Sequence, residues 1–279
     1  MKLGIFAKTF PGTAPGEVLL AARNAGYETV QYNMACSGLS SLPLAIGEET
    51  ACAVRCAAQD AGVTLAAVSA TYNMIHPDPS QREKGRQSFE AIATAAGTMG
   101  TRLLTLCTGS RDPEDQWRYH PDNASVAAWR DLCNEFEFML EIAERYDLFA
   151  GVEPELANVI NSAERARELL DTFPGGRIKI VLDAANLFEI ADAARQRYLM
   201  EHAVDVLGDA IVLAHAKDRL ADGRFATAGT GVLDYRHYLT VLRKGGFRGS
   251  LVTHGLDAAE AEHVAEFLKN EMAAVGAAT

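Results

Sequence analysis

The sequence has little that would anchor the chain in a membrane or cross-link it. No hydrophobic run is long enough to span a bilayer, and residues 1–6 are typical of a strand instead of a signal peptide. The five cysteines are odd in number and include no Cys-x-x-Cys pair, so we expect reduced thiols. Together these absences predict a cytoplasmic protein with no membrane partner.

Positive charge is also scarce. The 279 residues include 26 Lys and Arg against 37 Asp and Glu, which gives a formal net charge of −11. An acidic chain repels polyanions, so we expect no nucleic-acid partner. The length suits one large domain or two small ones, and no shift in composition marks a linker.

Short apolar runs alternate with amphipathic stretches along the whole chain. The clearest run is Ile211–Asp218, in which four apolar residues lead into a polar end, as in a buried parallel strand that reaches the surface. Eight strands are predicted, over residues 3–8, 29–33, 63–73, 103–107, 149–152, 178–182, 211–218 and 250–253. Eight helices are predicted between and after them, over residues 16–25, 48–61, 80–99, 125–146, 162–173, 192–207, 235–244 and 258–274.

Strict alternation predicts parallel strands, because a parallel pair needs a crossover connection. Eight such units in this length favour a closed barrel over an open sheet, which would leave two edges exposed. None of the predicted strands has the polar, charged pattern of an edge. We therefore predict an α/β fold, a single (β/α)₈ TIM barrel over residues 1–279, with the active site at the C-terminal ends of the strands.

Metal-ligating residue types stand at the ends of three successive strands. Glu153, Asp183 and His215 each follow an apolar run, and His254 follows the next one. Adjacent strands lie about 5 Å apart, so these side chains can converge on one ion. Two carboxylates and imidazole suit a divalent metal ion such as Mn²⁺, Zn²⁺, Co²⁺ or Mg²⁺.

Four motifs in this region resemble a known family. They are Val152-Glu153-Pro154, Leu182–Leu187, Ala214–Asp218 and Gly229–Tyr235. They resemble the xylose isomerase-like barrels, and more narrowly the sugar phosphate isomerase and epimerase group. The resemblance implies a divalent metal held by two Glu, one Asp and one His, of which three carry over to Glu153, Asp183 and His215. The family's second Glu corresponds to His254, which either binds the metal or faces the substrate.

The resemblance implies a metal-dependent isomerase or epimerase that acts on a sugar, sugar acid or polyol derivative through an enediolate. In that reaction Glu153 is the expected base, with His254 or Lys217 as its partner. Lys217 could instead neutralise the enediolate or form a salt bridge with Asp218. A small-molecule carbohydrate is the expected partner, and the sequence carries no signal for or against a homo-oligomer.

The loops above the barrel supply the expected substrate contacts. The loop at 108–123 is long for a compact domain, and such loops are usually functional. Its Trp117 could stack on a sugar ring or could anchor the loop, and Gly229-Thr230-Gly231 could present amides to a phosphate or hydroxyl. The residues predicted to bind substrate are Asn73, His76, Arg111, Trp117, Asn186 and Asp218.

Three other functions remain open from the sequence. A sugar dehydratase or lyase could use the same barrel, since an enediolate also leads to elimination. A barrel that binds a sugar without converting it is compatible with the changed fourth ligand. An apurinic endonuclease-like nuclease is disfavoured, because it would need several metals and a basic DNA-binding face.

Overall fold

The computed structural model describes residues 1–277 and contains eight parallel strands closed into a barrel. The barrel strands are β1 (Lys2–Phe6), β2 (Thr29–Tyr32), β3 (Thr64–Ser69), β4 (Leu103–Leu106), β5 (Phe149–Val152), β6 (Ile178–Asp183), β7 (Ile211–Ala216) and β10 (Ser250–Thr253). Two short strands, β8 (Asp218–Arg219) and β9 (Phe225–Ala226), lie outside the barrel. Around the barrel their order is β1-β10-β7-β6-β5-β4-β3-β2. Strands β8 and β9 form a separate antiparallel ribbon.

Eight α-helices alternate with the barrel strands in the described part of the chain. They are α1 (Pro15–Asn24), α2 (Glu48–Ala61), α3 (Pro79–Met99), α4 (Val126–Arg145), α5 (Ala163–Thr172), α6 (Ala193–Leu207), α7 (Tyr235–Lys244) and α8 (Ala261–Ala277). The predicted α/β TIM barrel is therefore confirmed, with the strands and helices in the predicted order.

The apolar core has two parts, because each strand is covered on both faces. The larger part fills the space between the strands and the helices. The smaller part contains Ala67, Val181, Leu213 and Val252, all from strands, and it fills the barrel interior. Leu213 lies two residues before His215, so alternation along β7 points both side chains into the barrel. The polar residues at the strand ends therefore lie directly above a layer of apolar side chains inside the barrel.

Many predicted boundaries differ from the structure by one to three residues, and the largest difference is at the end of the third strand. The third strand ends at Ser69 instead of residue 73. The following helix begins at Pro79, and its N-cap is Asp78, whose Oδ1 accepts a 2.8 Å hydrogen bond from the amide of Ser80. The predicted start at residue 80 is one residue late, because Pro at the first helical position fixes the start at residue 79.

The ribbon β8–β9 was not predicted, since two-residue strands are too short to show periodicity. All five cysteines are free thiols, as the sequence predicts. None of the helices within residues 1–277 is long and apolar enough to cross a membrane. That residues 1–279 form one domain stays a prediction.

Two glycines of α3 provide a test of how tightly this helix packs. A Cβ atom at Gly85 would lie 2.1 Å from the ring of Tyr72, whereas a Cβ at Gly97 would meet no heavy atom within 4 Å. The Tyr72 ring is held because its hydroxyl donates a 2.7 Å hydrogen bond to buried Glu135.

We expect Gly97→Ala to stabilise the protein by about 0.5–1 kcal/mol, since alanine loses less backbone entropy in a helix. Gly85→Ala should instead destabilise it by about 1–3 kcal/mol through overpacking. Chemical denaturation of both variants measures the difference. Equal stabilisation by the two substitutions would show that Tyr72 moves freely.

Candidate active site

Four potential metal ligands meet where the barrel strands end. Glu153 directly follows β5, Asp183 is the last residue of β6, His215 lies in β7, and His254 directly follows β10. Asp183 and His215 are register partners on adjacent strands. One ligand atom from each of the four side chains lies within 4.8 Å of the others. The predicted convergence on one point is therefore present in the structure.

The geometry of these four groups fits a divalent cation. His215 Nδ1 lies 3.2 Å from Glu153 Oε1, and His254 Nε2 lies 3.4 Å from Asp183 Oδ2. Both ring nitrogens and Asp183 Oδ2 are buried, and they make no hydrogen bond within residues 1–277. Buried polar atoms are normally satisfied. A metal ion bound between these three atoms would accept a lone pair from each and so satisfy all of them.

A hydrogen bond from across the barrel orients His215. Its Nε2 lies 2.8 Å from Gln31 Oε1, and the Gln31 amide nitrogen donates a 3.1 Å hydrogen bond to the Thr105 hydroxyl. Since a carbonyl oxygen only accepts, Nε2 carries the proton and Nδ1 presents its lone pair to the ligand cluster. Gln31 thus sets the imidazole tautomer that a metal requires.

Asn186 and Lys217 hold the two carboxylates in place. The Asn186 amide nitrogen donates a 2.9 Å hydrogen bond to Glu153 Oε1, and its oxygen accepts one of 3.4 Å from Lys217 Nζ. Lys217 Nζ also lies 3.4 Å from Asp183 Oδ2. Lys217 therefore pairs with Asp183, and the alternative salt bridge to Asp218 is wrong.

Charge pairing outweighs burial for the carboxylates of this cluster. Burial alone would raise the pKa of Asp183, but the charge of Lys217 lowers it far below its usual value. Burial opposes the charged form of Lys217 as well, and the carboxylate of Asp183 nevertheless raises its pKa. Burial lowers the pKa of His254, and the neighbouring His215 lowers it further. Neutral imidazole next to ionised carboxylate is the protonation state that binds metal.

A cavity of about 330 Å³ opens above the ligands. Its wall includes Glu155, a carboxyl that the cluster does not contain. Burial, followed by the charge of Glu153, raises the pKa of Glu155 to about 7. The aromatic rings of Phe6, Trp117 and Phe225 also line the cavity. An apolar wall with a few convergent polar groups is typical of a small-molecule site.

The predicted substrate or proton-transfer residues on this wall are Trp117, Glu153, Lys217 and His254. Arg111 is held elsewhere, by a 2.7 Å contact with Asp131 and a 3.0 Å hydrogen bond to the Ile75 carbonyl. Asn186 reaches the site through Glu153 instead of through the cavity wall. The structure thus gives Asn186 a role in orienting Glu153, and its substrate contact stays a prediction.

Asn73 and His76 hold the loop that follows β4. Asn73 donates a 2.8 Å hydrogen bond to the Ser110 carbonyl, and His76 Nε2 lies 3.0 Å from the Pro113 carbonyl. The structure gives these two side chains and Arg111 contacts that hold the loops, and their contacts with substrate stay predictions.

Asp218 is the centre of the loop that follows β7. Its carboxylate accepts hydrogen bonds of 3.1, 3.0 and 3.0 Å from the amides of Gly229, Gly231 and Leu233. The prediction that Gly229-Thr230-Gly231 presents these amides to a phosphate is thus corrected, because an internal carboxylate occupies them. Asp218 itself is used by the loop, and its substrate contact stays a prediction.

Sequence reasoning missed three residues of the site. Gln31 lies inside β2, where a polar residue between Val30 and Tyr32 was the available signal. Glu155 follows Glu153 by two residues, and its place at the same strand end was the available signal. Phe225 lies in the unpredicted ribbon, and nothing in the sequence singles it out.

A known family resembles this chain in sequence, and solved structures resemble it in fold. The sequence model of the xylose isomerase-like TIM barrel family matches residues 19–271. No curated protein matches the chain by sequence. Among solved structures, 3-keto-D-glucoside 4-epimerase from E. coli superposes with a TM-score of 0.76 at 15% identity, over 97% of this chain and 99% of that one.

Two further structures share the fold at similarly low identity. An L-ribulose 3-epimerase has a TM-score of 0.77 at 13% identity, over 98% of this chain and 95% of its own. The D-psicose 3-epimerase of Clostridium cellulolyticum H10, solved with D-tagatose, has a TM-score of 0.73 at 15% identity, over 98% and 99%. At these identities the similarity establishes the barrel fold alone.

Removal of the Gln31 side-chain amide tests its role in orienting His215. We expect Gln31→Leu to weaken Mn²⁺ binding by about 10–100-fold, because the His215 tautomer is no longer fixed. Ser69→Ala, on the same cavity wall, should leave the affinity unchanged. Isothermal titration measures both constants. A Gln31→Leu protein with wild-type affinity would mean that His215 needs no such orientation.

The raised pKa of Glu155 predicts a pH-dependent stability. A carboxyl whose pKa rises from 4.5 to about 7 on folding destabilises the folded state as pH climbs through that range. With chelator present, Glu155→Gln should match the wild type near about pH 5 and exceed it by roughly 1–2 kcal/mol near about pH 8, after allowance for solvent screening. Denaturant unfolding at both pH values measures this difference. A constant difference would argue against a buried, charge-crowded Glu155.

Proposed function

Because the chain belongs to the xylose isomerase-like TIM barrel family, we propose that it is a divalent-metal-dependent isomerase or epimerase. Its substrate in this proposal is a sugar, sugar acid or polyol derivative, and the reaction is a proton transfer next to a carbonyl carbon. The three structural neighbours described above are sugar epimerases by name, which supports the same reaction class. A cytoplasmic location is part of the proposal.

One observation carries this proposal. Glu153, Asp183, His215 and His254 bring four ligand atoms within 4.8 Å of one another, at the base of a cavity of about 330 Å³. Three of the buried ligand atoms make no hydrogen bond within the described residues. Two carboxylates and two imidazoles suit Mn²⁺, Zn²⁺ or Co²⁺ better than Mg²⁺, which prefers oxygen ligands.

A bound divalent ion would polarise the substrate carbonyl and stabilise the negative charge that develops next to it. Proton removal falls to Glu153, which lies on the cavity wall. Asn186 fixes the direction of its Oε1, and the Cys107 thiol lies 3.7 Å from its Oε2. Burial alone would raise the pKa of Glu153, but the adjacent His215 lowers it, so the carboxylate stays ionised and able to accept a proton.

A second proton-transfer group is needed on the other side of the substrate, or for its oxygen atoms. His254 and Lys217 both line the cavity and both lie 3.4 Å from Asp183 Oδ2. Lys217 keeps its proton, because the Asp183 carboxylate outweighs burial and raises its pKa. We propose that Lys217 stabilises developing negative charge and that His254 binds the metal in place of the family's second Glu.

A sugar dehydratase or lyase would use the same base and the same charge stabilisation, and product analysis separates the two. A nuclease of this fold is disfavoured by the acidic balance of 37 Asp and Glu against 26 Lys and Arg. A purely sugar-binding barrel does not require the buried ligand atoms to converge.

Metal content tests this proposal directly. We expect about one divalent ion per wild-type chain and a clear loss of affinity in His254→Ala, since a ligand is removed. His202→Ala provides the matched control, because His202 pairs with Glu164 on the helical layer, away from the ligands. Elemental analysis after equilibration with Mn²⁺ or Zn²⁺ gives the content.

Activity is measured separately, as exchange of sugar carbon-bound protons with D₂O. Glu153→Gln should reduce the exchange rate by at least about a hundredfold, as expected for loss of a general base. No metal uptake by the wild type in Mn²⁺ or Zn²⁺ would sink the proposal. Metal uptake that His254→Ala retains in full would assign His254 to the substrate instead.

A further inference from the structure

The ring of Phe225 covers two buried cations, Lys217 and Arg219, of which Lys217 lines the cavity. Phe225 lies in the ribbon β8–β9 and is 49% exposed, and it lines the cavity. Lys217 Nζ lies 3.6 Å from the centre of its ring, and the Arg219 guanidinium carbon lies 4.0 Å from it. The face of an aromatic ring attracts cations, so Phe225 shields part of both positive charges, while Lys217 still lines the cavity next to Asp183.

Both cations also have partners within the chain. Lys217 lies 3.4 Å from Asp183 Oδ2 and 3.4 Å from Asn186 Oδ1. Arg219 donates from Nε to the Ala185 carbonyl and from a terminal nitrogen to the Gly223 carbonyl. A substrate phosphate or carboxylate would therefore have to displace existing contacts before it reached either charge.

A second group of donors suited to an anion, the backbone amides of the loop after β7, already has a partner within the chain. Three amides of the loop after β7 converge on Asp218, a completely buried carboxylate that fills their concavity. Such a concavity of amides binds phosphate in other folds when it is open. Here its occupant is a side chain of the same loop.

The remaining wall favours an uncharged ligand. Glu153 and Glu155 place two carboxylates on it, and these hydrogen-bond readily to hydroxyls but repel anions. Phe6, Trp117 and Phe225 supply apolar surface that suits the C–H face of a sugar. The wall thus combines carboxylates, which accept hydrogen bonds from sugar hydroxyls, with aromatic faces.

We propose that the cavity selects an unphosphorylated, non-acidic sugar, and that Phe225 is a specificity-determining residue because it masks Lys217 and Arg219. This inference rests on the proposed isomerase or epimerase function and narrows its substrate class. Removal of the ring exposes Lys217 more fully, uncovers Arg219 behind it and admits anionic analogues.

Binding of matched sugar pairs tests the inference. The probes are D-tagatose and D-fructose, each compared with its 6-phosphate, with Mn²⁺ present at about pH 8. Calorimetry gives the dissociation constants, and the fluorescence of Trp117 on the cavity wall provides a second readout. We expect the wild type to bind each neutral sugar at least about tenfold more tightly than its phosphate.

Three variants make the result specific to the ring. Phe225→Ala should reduce the preference to about threefold or less, because the two cations then attract the phosphate. Phe225→Tyr keeps the aromatic face and should keep the preference. Val232→Ala, an exposed position of the same loop that does not line the cavity, should also keep it.

Equal or tighter wild-type binding of the phosphates overturns the inference, as does a Phe225→Ala protein with the full preference. Failure of either neutral sugar to bind overturns it too. Proton exchange in D₂O, followed by NMR, separates this result from the proposed function. A selective protein without exchange contradicts the isomerase alone, whereas faster exchange of a phosphorylated sugar supports the isomerase and contradicts the inference.

Discussion

Excess negative charge at a partly enclosed cavity is the constraint that shapes the rest of this site. Glu153, Glu155 and Asp183 bring three carboxylates together, and Lys217 supplies one ammonium group against them. Ionised groups removed from water are costly unless they are paired. The pairing of Lys217 with Asp183, the Asn186 contact with Glu153 and the raised pKa of Glu155 all follow from this requirement. A divalent cation among the four ligands would balance the remaining charge.

The closed barrel makes such crowding tolerable. Its apolar interior holds Leu213 and Val181 beneath the ligands, so the strand ends cannot separate to relieve the repulsion. Ligands from neighbouring strands are fixed by backbone register, as with Asp183 and His215. The rigid strands therefore fix the positions of the ligand side chains, while the loops cover the cavity above them. Phe225 is an example of the cover, because its short ribbon lays one ring across the cavity edge.

Sequence reasoning succeeded where chemistry follows an apolar run along the chain. Glu153, Asp183, His215 and His254 each mark the end of a buried strand, so alternation predicted both the barrel and the ligand cluster. It failed where a role depends on a distant partner. Arg111 looked available in a polar loop, but α4 supplies Asp131 to bind it. Gln31 has its role only because His215 lies opposite, and a gap of 184 residues leaves no local pattern.

The hydrogen bond between Gln31 and His215 also has a consequence for the order in which the molecule assembles. Strands β2 and β7 are not neighbours, since β1 and β10 separate them in the ring. The imidazole therefore obtains its partner only after the first and last segments of the chain have joined. Any half-barrel intermediate lacks this contact, and a newly synthesised chain gains an ordered His215 only once its final strand has been released and docked.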